Sequence, residues 1–504
     1  MKFSEDRSKD KKVFTMLYKK FRYKIFFIFC VGLVLVYILQ DKTPLLQALT
    51  HPTYATNTTH QLDANTQLQH IDTNTPKTDN AEAYTLDVIV QALTKMDHQP
   101  ASNVEVAPPQ NHASGPTNAC MQTPEKLARL LKVKEIDCKS VFSGSKSAVD
   151  EGISKSKSTK RELLSNDFYL NLTENCENFK AVRGYMTCPL SSEEEEFPLA
   201  YSIVAYKDIE MVERLLRAIY RPQNYYCFHL DAKSDKTFYL AMSAIAQCFP
   251  NVFLSADRVD IKWGEFSVLE AEIVCMRQLW RYTKWKYFIN LTGQEFPLKT
   301  NAQIVKILHA YNGANDLEGT VKRANKDRWN NKTPPRGLRP VKGSVHVIAN
   351  RDFVDYILHN DTAKELLEWV RGTGIPDETF FATLNHNPQL GIRGSYKGDP
   401  ETESADSLVK PFLTRFKNWG SEPFKANCAG NFVRGICILS TGDLPQLGTA
   451  KQLFANKFYL WEDFTVIGCL EEKLMNATRD ELLGLQTFNV THYAQLGFVK
   501  NQVT

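Results

Sequence analysis

Between residues 199 and 291 the chain alternates short β-branched and aromatic runs with stretches of helical periodicity. This rhythm restricts the fold more than any other feature of the sequence. LAYSIVA (Leu199–Ala205), YYCFHL (Tyr225–Leu230), VFL (Val252–Leu254) and YFINL (Tyr287–Leu291) read as strands. Between them, Glu210–Ile219, Met242–Ala246 and Glu270–Trp280 repeat apolar residues at helical spacing. Strands separated by helices predict an α/β fold, a Rossmann-type, mostly parallel sheet with helices on both faces. In such sheets ligands bind beyond the carboxyl ends of the strands. Asp231 closes the second strand, where it can accept from a ribose hydroxyl, and in DAKSD it serves equally well as a turn residue. The acidic run Glu193–Glu196 reads as a solvated approach to the first strand.

Three segments of different character precede this region. Residues 1–24 are rich in Lys and Arg, and Ile25–Leu39 (IFFIFCVGLVLVYIL) follows without a charge. The apolar run is shorter than the roughly 20 residues of a usual span. Tyr23 and Gln40 extend it into the interface, and Lys24 can snorkel. A long basic flank and no small-x-small cleavage site favour an uncleaved signal anchor over a cleaved signal peptide. The positive-inside rule then makes a type II membrane protein: 1–24 a cytoplasmic tail, 25–39 the transmembrane anchor, the remainder luminal. A short span suits the thinner membranes of the early secretory pathway and points to the Golgi. Residues 40–120 are rich in Thr, Asn, Gln, His and Pro and read as a disordered stem. Ala83–Met96 is its one helix-like piece, suited to association with a partner stem. From 121 to 504 the composition is globular, with no internal repeat and no second linker.

Two further features agree with a luminal location. Six N-glycosylation sequons follow the anchor, at Asn57, Asn171, Asn331, Asn360, Asn476 and Asn489. A seventh, Asn290, lies in an apolar strand and is expected to be too buried for modification. Ten of the 11 cysteines also follow the anchor, an even number, as disulfides in an oxidising compartment require. A formal net charge of +4 over 504 residues gives no sign of a nucleic-acid partner.

Chemistry is suggested at two places. IPDETFFATL (Ile375–Leu384) reads as a helix start, with Pro376 in the first turn and Asp377 or Thr379 able to cap it. Glu378 is then either an ordinary first-turn acid or a general base held among aromatics. Near the C-terminus, CAGNFVRGIC (Cys428–Cys437) can close a short disulfide loop around Arg434, and Lys457 follows in FANKF. Two fixed cations can stand in for a divalent metal at a leaving diphosphate. The chain has no Asp-x-Asp, no P-loop, no GxGxxG after a strand, no HExxH and no GxSxG.

FPLAYSIVAYKDIEMVERLLRAIYRPQNYYCFHLD, KWKYFINLTGQEFPLKTN, the PDE stretch, and CAGNFVRGIC followed by LFANKF together closely resemble the core 2 β1,6-N-acetylglucosaminyltransferase family. The resemblance runs from about Cys138 to about Leu474. It implies a GT-A-like fold and a luminal glycosyltransferase catalytic domain over 121–504. It implies inverting, metal-independent transfer without a cofactor, most simply of GlcNAc from UDP-GlcNAc. The acceptor would be the C6 hydroxyl of GalNAc in Galβ1,3GalNAc-Ser/Thr on mucin-type glycoproteins. Carried over residue by residue, Glu378 matches the catalytic base. Arg434, Lys457, Asp231, Val204 and Tyr206 match contacts to UDP and its diphosphate. Glu318, Lys326, Arg328 and Trp419 match acceptor-site residues, although the segment NDLEGTVKRANKDRW is one residue short and a family tyrosine falls near Ser421. The implied disulfides are Cys138–Cys469, Cys176–Cys248, Cys227–Cys275 and Cys428–Cys437, with Cys120 and Cys188 left over. The partners implied are a UDP-sugar, an O-glycan acceptor and the Golgi membrane, with a homodimer left open. Alternatives are another donor such as UDP-glucose, a peptide acceptor as in O-xylosyltransferases, an inactive lectin-like relative, or a membrane-anchored adhesion protein.

Overall fold

The computed structural model describes residues 123–504 apart from 160, 403–407 and 421–426. The tail, anchor and stem, with Asn57, Ala83–Met96 and Cys120, lie outside the described residues, as does Ser421. Among the described residues no helix is long and apolar enough to cross a membrane.

β1 (Leu199–Ala205), β2 (Tyr225–Leu230), β3 (Val252–Leu254) and β4 (Tyr287–Thr292) are parallel neighbours. β5 (Glu295–Pro297) leaves this layer, and β6 (Asp316–Leu317) and β7 (Val347–Asn350) complete a six-stranded sheet of order β3-β2-β1-β4-β7-β6. β7 runs antiparallel to both neighbours, so the sheet is mixed at one edge. The continuous apolar character of β1 follows from burial on both faces. Leu199, Tyr201, Ile203 and Ala205 point into one core with α1 (Ile209–Ile219), α2 (Lys236–Gln247) and, further on, α4 (Asn301–Tyr311). Ala200, with Cys227 and Phe288 of the neighbouring strands, faces a second core. That core is built with α3 (Phe266–Trp280), α5 (Arg351–His359), α6 (Asp361–Arg371) and α7 (Asp377–Asn385). Burial of alternate residues in opposite layers is the period-2 pattern of a strand made visible.

A second, three-stranded sheet has the order β5-β11-β8, from β5, β8 (Arg415–Phe416) and β11 (Phe454–Asn456). It packs in a third core with α8 (Phe464–Leu482) and the short helix Cys138–Phe142. A hairpin of β9 (Phe432–Val433) and β10 (Ile436–Cys437) stands apart. Disulfides join Cys138–Cys469, Cys176–Cys248, Cys227–Cys275 and Cys428–Cys437. Cys188 is also disulfide-bonded.

Several local readings change. Met242–Ala246 is only the C-terminal half of α2, and α3 begins at Phe266. Of the run Glu193–Glu196, three residues are exposed, as a solvated approach requires, but Ser191 caps a short helix over it and Glu194 is buried, accepting from Asn301 Nδ2 at 2.6 Å. α7 has no side-chain cap. Asp377 is instead buried with Oδ1 unpartnered, and Thr379 Oγ1 accepts from the Trp329 indole at 3.2 Å. Asn290 is buried, its amide spent on the Val345 carbonyl and the Val347 N–H. Asn171, Asn331 and Asn489 are exposed, and Asn360 and Asn476 half-buried.

Candidate active site

Glu378 stands in the first turn of α7. Phe380, Phe381 and Leu384 are fully buried in the second core. The Glu378 side chain keeps 27% exposure, and its partners are cations rather than aromatic rings. Arg328 Nη1 donates to Glu378 Oε2 at 2.8 Å, and Lys342 Nζ lies 3.7 Å from the same oxygen. Among the described residues nothing engages Oε1. The turn that delivers the glutamate is strained, because Ile375 sits at φ +51°, a conformation costly for a β-branched residue. It is held there by its N–H on the Gly264 carbonyl, at 3.0 Å.

Lys342 continues the network, with Nζ 3.9 Å from Glu318. Lys417 Nζ approaches Glu318 from the other side at 3.5 Å and lies 5.8 Å from the centre of the Trp419 ring. Burial by itself would raise the Glu318 carboxyl; Lys417, Lys342 and Arg323 outweigh it and hold the group below the usual glutamate range. The backbone fixes the same neighbours. Thr320 and Lys342 exchange N–H···O bonds of 2.7 and 3.0 Å, and the Gly343 N–H donates to the Glu378 carbonyl at 2.6 Å. A Cβ on Gly343 would meet the Glu318 carbonyl and Ala382 at 2.6 Å, so the close approach requires glycine. Glu378, Arg328, Glu318 and Trp419 thus share one alternating chain of charge. Lys326, exposed on the 3-10 turn Lys326–Trp329, has no hydrogen bond or ion pair to it among the described residues.

The cationic element is built differently. Val433 pairs with Ile436 across a two-residue turn, with Arg434 at φ +54° and Gly435 at +81°. Positive φ at both central residues is the requirement of a type I′ hairpin. The Cys428–Cys437 disulfide closes its base, and the exposed Arg434 stands at its tip. Lys457 follows β11, and its carbonyl accepts from the Leu439 N–H at 2.9 Å, tying the two segments together. At the carboxyl ends of β1 and β2, Val204 accepts from the Gly293 N–H at 2.9 Å and Tyr206 is exposed. Asp231 is buried, taking both the backbone N–H and the ammonium of Lys233, so the turn role is realised at the strand end.

Some members were invisible to pattern reading. Lys342, in RPVKGS, carries no motif. Lys417 stands two residues before Trp419, a strand-like spacing that puts both on one side and was the available signal. Lys207 lies 4.8 Å from the Trp461 ring, Trp461 stacks on Tyr459 at 4.4 Å, and Lys457 lies 5.1 Å from the Tyr459 ring. This ladder joins the end of β1 to the segment after β11. Among the described residues no group of His, Cys, Asp and Glu is arranged to hold a metal ion.

The Core-2/I-Branching enzyme family profile matches residues 199–447. A human protein, beta-1,3-galactosyl-O-glycosyl-glycoprotein beta-1,6-N-acetylglucosaminyltransferase 3, is 37% identical over 379 residues, covering 70% of this chain and 86% of its own. The mouse protein of the same name is 35% identical over 382 residues, with the same coverage. A bovine herpesvirus 4 protein (strain DN-599), named beta-1,3-galactosyl-O-glycosyl-glycoprotein beta-1,6-N-acetylglucosaminyltransferase, is 37% identical over 365 residues, 68% of this chain and 82% of its own. The chain belongs to the core 2/I-branching enzyme family.

Proposed function

We propose that the protein is an inverting β1,6-N-acetylglucosaminyltransferase that moves GlcNAc from UDP-GlcNAc to the GalNAc of Galβ1,3GalNAc-Ser/Thr. The observation that carries this reading is the Glu378 carboxylate, with both cations on Oε2 and Oε1 left for an acceptor hydroxyl. In the reaction Oε1 takes the proton of the GalNAc C6 hydroxyl. The acceptor O6 so deprotonated attacks C1 of the donor sugar opposite the diphosphate, the C1–O bond breaks, and its electron pair leaves with UDP. One in-line displacement inverts the anomeric centre and needs a base and a leaving-group stabiliser, with no covalent nucleophile. Arg434 and Lys457 meet the charge of the departing diphosphate, and Asp231, Val204 and Tyr206 border the nucleoside. Glu318, Arg328 and Trp419 position the acceptor, with Lys342 and Lys417 holding their charges in register.

Metal independence rests on the absence of Asp-x-Asp from the whole sequence together with this cation pair. The sheet order and carboxyl-edge site support a GT-A-like fold. The basic residues before Ile25–Leu39, the sequons and the disulfides support a single-pass type II protein of the Golgi membrane, its catalytic domain luminal.

The test is a transfer assay of the full chain with a Galβ1,3GalNAc-aryl acceptor, a panel of UDP-sugars, and EDTA present or absent. A 1,6-linked product from UDP-GlcNAc, unchanged by EDTA, is the expected result. Product only from another donor overturns the donor assignment. A strict metal requirement overturns the two-cation account, and no product from any donor overturns the activity.

A further inference from the structure

A cavity of about 520 Å³ opens between the helix Cys138–Phe142, the loop before α4 and the helix α8. None of the residues assigned above to donor or acceptor lines it. Two ammonium groups, Lys299 and Lys473, face it from different elements. Lys299 Nζ donates to the Ala450 carbonyl at 2.6 Å, and Lys473 Nζ to the Gly448 carbonyl at 3.2 Å. Both acceptors are backbone groups at the end of the helix Leu444–Thr449 and carry only partial charge. Among the described residues neither lysine has a carboxylate within ion-pair distance. The acids nearby are engaged elsewhere: Asp480 is paired with Arg479 at 2.7 Å, and Glu472 accepts from the Val133 N–H at 2.7 Å.

Half-buried ammonium groups without a counter-charge are expensive, and the cost shows in their titration. Burial, then Lys473 and Lys451, push Lys299 down to about 7; burial also lowers Lys473. A bound anion would offset the repulsion among the three lysines and restore the Lys299 proton near neutral pH.

We propose that this cavity binds a tetrahedral oxyanion, a sulfate or phosphate group, between Lys299 and Lys473. The volume exceeds that of one such ion and falls in the range of small-molecule sites, leaving space for a sugar that carries the group as an ester. The inference stands independently of the transferase reading.

The experiment is a brief amine-acetylation pulse on the full chain at neutral pH, read residue by residue by peptide mass spectrometry. Sodium sulfate, sodium phosphate and galactose 6-sulfate are each compared with sodium chloride at equal ionic strength. Labelling of Lys299 and Lys473 is expected to slow by roughly three-fold or more, as re-protonation and occupancy both remove the free amine. Labelling of the exposed Lys284 should not change. Protection by inorganic sulfate identifies the anion as sufficient, and protection by the sugar ester alone identifies an ester-borne group. In Lys473→Met, sulfate should no longer protect Lys299. Absence of protection by all three probes in the wild type, equal slowing at Lys284, or undiminished Lys299 protection in Lys473→Met overturns the proposal.

Discussion

Arg328 and Lys342 converge on the same oxygen of Glu378, at 2.8 and 3.7 Å, and leave its other oxygen unengaged. A carboxylate that serves only as a first-turn helix acid needs neither cation. Two positive groups on Oε2 hold the carboxylate by that oxygen and leave Oε1 without a hydrogen bond or ion pair among the described residues.

Replacement of Glu378 by Gln preserves shape and removes the proton acceptor. Turnover should fall by about 10²–10⁴-fold, the usual contribution of a positioned base, while UDP binding stays unchanged. Steady-state kinetics with calorimetric UDP titration check this, and retained turnover would remove Glu378 from the base role.

Gly343 holds Glu318 and Glu378 at their separation. In Gly343→Ala the new methyl meets the Glu318 carbonyl and Ala382 at 2.6 Å. Overpacking of this kind costs about 1–3 kcal/mol, and the displaced carboxylates should lower kcat more than an equally destabilising change elsewhere. Denaturant unfolding and kcat measured on one preparation separate the two effects.

Arg434 combines charge with a conformation that suits glycine. Arg434→Gly should therefore keep or slightly raise thermal stability, as the strain at φ +54° is relieved. It should lose about 10²-fold in kcat/KM for the donor, the scale for one transition-state donor removed. A fall in stability parallel to activity would show that Arg434 matters to the hairpin and not to the diphosphate.

Burial, then the charge of Glu378, raise Asp377 to about 7. The folded chain thus keeps a proton there that the unfolded chain has lost above about pH 4. Stability from this group is full below that pH and declines as pH rises through 7. Asp377→Asn removes the dependence and should be more stable than wild type by on the order of 1–3 kcal/mol at about pH 8, with little difference near pH 4. Melting curves across this range test the sign.

Local pattern carried the scaffold far. The four parallel strands and the helices between them were legible because each has its own periodicity and buries both faces of a sheet. β7 was missed, because four residues give too short a period to detect. Glu194 was misread because an acidic run looks solvated until Asn301 and Arg221 are brought against it from other elements. At the candidate site, Glu378, Arg434 and Lys457 stood out through helix-start chemistry, a cysteine-bounded loop and an aromatic-flanked lysine. Their surroundings did not. Lys342 and Lys417 reach Glu318 from outside any motif, and the Lys207–Trp461 contact joins residues more than half the chain apart. Periodicity, caps and turns are short-range properties that a sequence expresses directly. The neighbours of a half-buried charge are settled by packing between distant segments, and only the tertiary structure decides them.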